Sequence, residues 1–283
     1  MIPAAFDYVA PESVADAIAA LTSGAEEVKV LAGGQSLIPV LRLRLAAPTL
    51  IVDLGRVDEL TGVRDDGDAI VIGAMTTHHE IATNALVAEH AALLAKAAET
   101  VADPQVRHRG TFGGALAHAD PAGDLPAPAL ALDAQLVIVG PGGERTVAAA
   151  DFFEDIFTTA LGEDELLTRI RVPKHTGWGA HYEKFTRVAQ QWSIVAVAAA
   201  VRADGGAIAE AKVALTNMGS TALRAAGVEE ALVGQPATAE AIKAAAARAA
   251  EGTSPPSDTN GDADYRRHLA TVLTGRAVQA AVG

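Results

Sequence analysis

With 283 residues, half of them apolar, the chain is long enough to bury a large core and to divide into more than one domain. Its formal net charge of −13 and pI near 5.0 argue against nucleic acid and anionic membrane as partners, because both would repel it. It has no cysteine, which removes disulfides, thiolate nucleophiles and any iron–sulfur cluster held by its own side chains.

In chain order, Met1 is not followed by a basic start and an apolar stretch, and no apolar run reaches the roughly eighteen residues of a membrane span. A cytoplasmic protein without a transmembrane segment is therefore expected. Ser13 is placed to cap a helix whose apolar residues Val14, Ala17, Ile18 and Leu21 repeat at helical spacing, and Gly24 to end it. Buried strands are expected over residues 28–32, 50–54 and 69–74. Thr77 and Glu80 have the spacing of a capping box that opens a helix at His78. A helix over 91–101 is interrupted at Asp103-Pro104. Strands over 136–139 and 166–172 follow, with Gly140-Pro141-Gly142-Gly143 read as a hairpin turn. After a short linker, strands over 181–188, 194–202 and 207–216 are consecutive and are expected to pair antiparallel. Helices over 223–233 and 237–250, a loop over 252–261 and a helix over 265–282 close an α+β chain of two parts.

Two glycine-bearing segments carry the chemical signal: Ala32-Gly33-Gly34-Gln35-Ser36-Leu37 and Gly110-Thr111-Phe112-Gly113-Gly114-Ala115. Glycine lets the main chain approach a ligand closely, and consecutive N–H groups can form a concave anion site. A phosphate-bearing cofactor held between the two is the leading reading, and a pair of plain turns is the alternative. Other nucleotide signatures are missing: no G-x-G-x-x-G opens a helix, and no Walker loop is present. No metal site is assigned, because His78 and His79 are adjacent on a helix and His118 with Asp120 falls short of a full ligand set. No residue is assigned as a catalytic base or nucleophile.

The order of three segments, Lys29 to Leu37, Asp103 to Gly114, and Asp120-Pro121 with Asp124-Leu125-Pro126, resembles the FAD-binding medium subunits of molybdenum hydroxylases. Within that family it is most similar to the carbon monoxide dehydrogenase type, and the likeness extends through Phe157-Thr158-Thr159-Ala160 to Tyr265-Arg266-Arg267. The resemblance implies a vanillyl-alcohol-oxidase-type (PCMH-type) FAD-binding domain of two α/β subdomains, over 1–57 and 58–174. A C-terminal α+β domain with a three-stranded antiparallel sheet would span 178–283.

It further implies that FAD is held by Lys29, Leu31, Ala32, Gly33, Gly34, Gln35, Ser36, Leu37, Val106, Gly110, Thr111, Gly113, Gly114, Ala115, Asp124, Leu167, Lys184 and Trp192. Leu167 and Lys184 match positions near the flavin ring, and Trp192 aligns with an aromatic residue that covers one of its faces. Ala115 and His108 depart from the family's usual polar residues, and the loss of one hydrogen bond to FAD would cost about 0.5–1.5 kcal/mol.

The implied partners are a molybdenum-cofactor large subunit and a small subunit with two 2Fe–2S clusters, in a dimer of heterotrimers. Electrons would leave to an external acceptor such as a quinone, with the complex in the cytoplasm or peripheral at the inner face of the membrane. Carbon monoxide oxidation is the implied activity. A xanthine, nicotine, aldehyde or aromatic-acyl dehydrogenase, a self-contained FAD oxidoreductase and a non-enzymatic nucleotide binder are the alternatives.

Overall fold

The computed structural model describes residues 2–283 and contains three main β-sheets that follow one another along the chain. The first is parallel, with Leu50–Asp53 between Asp7–Val9 and Val28–Leu31. Its middle strand is buried, whereas Val28–Leu31, at the sheet's edge, is only half-buried. The helix Val14–Leu21 packs Ala17 into this small core. Ser13 caps it by accepting from the Asp16 N–H, and the helix ends at Thr22, with Gly24 in the turn beyond.

The second sheet is antiparallel, in the order Val63–Asp66, Ala69–Gly73, Leu166–Pro173, Gln135–Gly140, Gly143–Ala148. Gly140 pairs with Gly143 across a tight turn, so the Gly140-Pro141-Gly142-Gly143 run is a hairpin. Helices Ala92–Glu99 and Pro126–Ala131 help to build the largest core, which includes Phe112 and Phe152. The Thr77–Glu80 capping box is present in both directions.

The third sheet contains the three expected antiparallel strands, Gly179–Phe185, Val195–Asp204 and Ala207–Thr216. A fourth, two-residue strand, Leu223–Arg224, extends it at the edge. Residues 223–224 therefore leave the expected helix, which covers only Ala226–Leu232. Arg224 binds both Glu229 and Asp133, and these ion pairs hold it in the extended edge rather than on a helix.

The central strand of this sheet has two buried faces. Ala196, Ala198 and Ala200 enter the core of the second unit, while Val195, Val197, Ala199 and Val201 enter the core beneath the long helix Ala263–Val282. Alternation puts successive side chains on opposite faces, and the small alanines let helices 92–99 and 126–131 approach closely. No helix among the described residues is long and apolar enough to cross a membrane.

Candidate cofactor site

Where the three sheets meet, a cleft of about 650 Å³ is lined by residues from all three units. The first supplies Lys29 and Ala32 to Leu37, the second Val106, Gly110, Thr111, Gly114, Ala115 and Asp124, and the third Lys184 and Trp192. Its volume lies in the usual range for a pocket that encloses a sizeable organic ligand.

The two glycine segments touch each other at this cleft. A Cβ added to Gly33 would overlap the Arg109 carbonyl oxygen and lie 2.7 Å from Gly110 Cα. One added to Gly114 would lie 3.3 Å from Ala32 Cβ. Gly33 and Gly114 are thus glycines of close approach. Gly34, at φ +75°, is the one that uses the left-handed region.

The segments divide their work, which corrects the expectation that both present backbone donors. Among the described residues, the N–H groups of Gly33, Gly34, Gln35, Ser36 and Leu37 donate to no protein acceptor, and the Ser36 hydroxyl makes no capping bond. The second segment is largely engaged. Gly110 N–H donates to Val106, Gly113 N–H to Ala74 at 2.8 Å, and Ala115 N–H to Thr111. Gly114 N–H donates to Thr111 Oγ1 at 3.3 Å, so Thr111 caps the helix Phe112–His118. A chain that folds straight into a helix consumes its amides in the helix ladder and cap. One that bends through a left-handed glycine leaves them free.

Three of the expected cofactor residues lie off the cleft. Gly113 is buried, with its would-be Cβ 2.7 Å from the Ala74 carbonyl oxygen, so it serves helix–strand packing. Leu167 is a core residue of the second sheet, and Leu31 faces the opposite side of the first glycine segment. His108 also stands outside, stacked on His79 at 3.9 Å between ring centroids.

Asp124 is the centre of a buried polar cluster. Its Oδ2 accepts from Lys184 Nζ at 2.7 Å, and its Oδ1 from Tyr182 at 2.9 Å and Ser193 at 2.8 Å. Burial pushes the Asp124 carboxyl up, against the pull of Lys184 and the two hydroxyls. The three converging donors suit a carboxylate and fill three of its four lone-pair sites, two on Oδ1 and one on Oδ2. Lys184 Nζ also donates to the Thr100 carbonyl, so the ammonium is held at the cleft wall from two sides. Tyr182 and Ser193 had no signal of their own in the sequence, since a tyrosine on a strand and a serine after it are ordinary core and turn residues. Phe157 is a further lining residue, at φ +54°, a conformation that a β-carbon disfavours by about 1–2 kcal/mol. Its ring lies 5.0 Å from that of His118.

His78 lines the same cleft at the first turn of its helix, and its buried Nδ1 has no partner among the described residues. Burial, and secondarily the Arg107 charge, lowers its pKa to about 4. A histidine whose folded pKa is depressed contributes stability that is complete above the unfolded pKa near 6.5 and is lost as pH falls toward 4. His78→Gln removes this titration. Urea unfolding is expected to show the native protein losing about 3 kcal/mol more than the variant over that window. Equal losses in both proteins would mean that His78 is solvated.

Comparison with known proteins agrees with this architecture. Residues 4–175 match the family described as FAD binding domain in molybdopterin dehydrogenase, and residues 180–281 match the CO dehydrogenase flavoprotein C-terminal domain. The carbon monoxide dehydrogenase medium chain of Hydrogenophaga pseudoflava is 43% identical, over 99% of this chain and 98% of its own. The glyceraldehyde dehydrogenase medium chain of Sulfolobus acidocaldarius is 38% identical, over 98% of each. A solved carbon monoxide dehydrogenase from Hydrogenophaga pseudoflava, lacking the Mo-pyranopterin moiety of its cofactor, superimposes with a TM-score of 0.96 at 44% identity, covering 100% of this chain and 99% of that one. A whole-length match in sequence and in all three sheets leaves one assignment: the chain belongs to the FAD-binding medium subunits of the molybdopterin dehydrogenases.

Proposed function

We propose that this chain is the flavin-carrying medium subunit of a carbon monoxide dehydrogenase, working beside a molybdenum-binding large subunit and an iron–sulfur small subunit. The whole-length 43% identity to a medium chain of that name supports the assignment. A glyceraldehyde dehydrogenase medium chain is 38% identical over 98% of each chain, so medium chains named for different substrates share this subunit. That is the pattern expected if substrate is oxidised on another chain. The lack of cysteine agrees, because iron–sulfur clusters must then be held elsewhere.

The cleft suits FAD on its own chemistry. Five consecutive free amides and the Ser36 hydroxyl form a donor set for a diphosphate, on a loop where a Cβ at Gly33 would collide with main chain. When bound there, FAD supplies the two-electron redox chemistry that links one-electron centres to an external acceptor such as a quinone. The chain's own residues bind and orient. Residues 33–37 would donate hydrogen bonds to the diphosphate, Asp124 and the Thr100 carbonyl fix the Lys184 ammonium at the cleft wall, and Trp192 lines the cleft beside it. A cation fixed in that way stabilises negative charge that develops on a bound ring. No acid or base from this chain is required.

The contact between two glycine segments distant in sequence is the observation that carries the reading. In the purified complex, carbon monoxide is expected to bleach the flavin absorption, and the isolated, FAD-loaded chain is expected to show no bleaching. Bleaching of the isolated chain by carbon monoxide or an organic substrate would make it a self-contained oxidoreductase instead. A complex that responds to an aldehyde and not to carbon monoxide would move the substrate assignment while leaving the relay role in place.

A further inference from the structure

The segment between Phe185 and Ile194 has no regular secondary structure, yet it carries Gln190, Gln191 and Trp192 into the cleft. Gln190 sits at φ +67°, and Trp192 is 54% exposed with no side-chain hydrogen bond. A segment of this kind has few intrinsic reasons to keep one shape. The structure ties it down from outside.

Asn260 Oδ1 accepts from Arg187 Nη2 at 2.7 Å and from Gln191 Nε2 at 3.0 Å. Gln191 Oε1 in turn accepts from the Arg187 N–H at 2.9 Å, which closes a ring of hydrogen bonds at the base of the segment. Asn260 is itself anchored: its N–H donates to Asp258 Oδ1 at 2.7 Å, and the same oxygen accepts from Arg266 Nη2 at 2.8 Å. Arg266 is fully buried on the last helix, and its Nη1 donates to the Ile194 carbonyl. Among the described residues its Nε has no partner, and Asp258 is its one counter-ion. A buried guanidinium with an unsatisfied nitrogen is costly, and a packed apolar residue would serve the core better. What the arginine does instead is bind both ends of the arrangement, the anchor of Asn260 and the residue at which the segment rejoins the sheet. Asn217 adds a second tie, donating to the Ser193 carbonyl at 2.8 Å, and Gln190 Nε2 a third, donating to Asp103 Oδ2.

We propose that Asn260, braced by Asp258 and Arg266, is a positioning residue that holds residues 186–193 so that Trp192 stays at the cofactor cleft. Arg187 and Gln191 are the two hooks it grips. Asn260 does not line the cleft and acts only through the segment. The consequence at the cofactor rests on the reading of the cleft as an FAD site. The grip on the segment does not.

Both parts are tested in the full chain. The protein has two tryptophans, so Trp178→Phe leaves Trp192 as the only indole reporter. In that background without FAD, Asn260→Ala is expected to raise acrylamide quenching of Trp192 by roughly twofold, because the segment then samples open shapes. Asn260→Asp keeps the acceptor oxygens and is expected to restore the parent value. With FAD bound, Asn260→Ala is expected to raise flavin emission several-fold at an unchanged thermal midpoint. Trp192→Ala should give the same rise, and the double variant no more than either alone.

Unchanged indole quenching in Asn260→Ala, failure of Asn260→Asp to rescue it, or additive flavin effects would overturn the proposal. A parent protein that retains no FAD would count against the cofactor reading alone, since the indole measurement needs no flavin.

Discussion

Gly33→Val is expected to give a folded protein that has lost FAD, with affinity lower by at least about 100-fold, or about 2.8 kcal/mol. The reason is close approach and not backbone conformation, since Gly33 does not occupy the left-handed region. Any side chain at that position meets the Arg109 carbonyl and Gly110, both main chain, which cannot swing aside. The two glycine segments must separate, and the free amides of residues 33–37 move with them. Gly114→Ala is expected to be milder. Its Cβ would lie 2.7 Å from Thr111 Oγ1, a side chain, and displacing that hydroxyl sacrifices a helix cap worth about 1 kcal/mol. Gly142→Val is the control, because nothing lies within 4 Å of a Cβ there. Fluorescence titration with FAD, alongside circular dichroism to verify folding, measures all three. Parent affinity in a folded Gly33→Val protein would show that the diphosphate site lies elsewhere.

Asp124→Ala is expected to carry the largest loss of stability, about 3–5 kcal/mol by urea unfolding. The Asp124 and Lys184 side chains are only 4% and 10% exposed, so the variant leaves an ammonium in a low-dielectric wall with the Thr100 carbonyl but no counter-charge, removes the acceptor of the Ser193 hydroxyl, and leaves Tyr182 only a long contact to Thr216 at 3.4 Å. Truncating one partner of such a pair leaves the desolvation penalty of the other uncompensated. Asp124→Asn keeps an acceptor for one or more donors and should lose less. The two expected effects would separate the roles of these residues: loss of FAD without loss of fold at Gly33, and loss of stability at the cleft wall for Asp124. A loss below about 1 kcal/mol in Asp124→Ala would mean that water reaches the pair, as at exposed ion pairs.

Local signals were legible wherever neighbouring residues decide the outcome. Ser13, the Thr77–Glu80 capping box and the Gly140–Gly143 hairpin are where their spacing places them, because caps and turns are built from residues a few positions apart. Motif order was equally readable, and it marked both glycine segments. Assigning a task to each glycine was harder. Gly113 and Gly114 are adjacent and chemically identical, yet one packs on Ala74 and the other faces the cleft, since neighbours on a helix point in different directions. Leu167 was drawn into the site by resemblance although its side chain belongs to the core.

The amino-acid order alone settled the class of fold, the family, the lack of self-held clusters and the positions of the two glycine segments. Those properties reside in composition, short-range spacing and motif order. Three features came only from the folded chain: the free amides of residues 33–37, the occupied carboxylate of Asp124 and the grip of Asn260 on the Trp192 segment. Each depends on which distant groups become neighbours. Whether an N–H is spent in a helix or left for a ligand, and how many donors reach a carboxylate, is decided when three sheets close on one another.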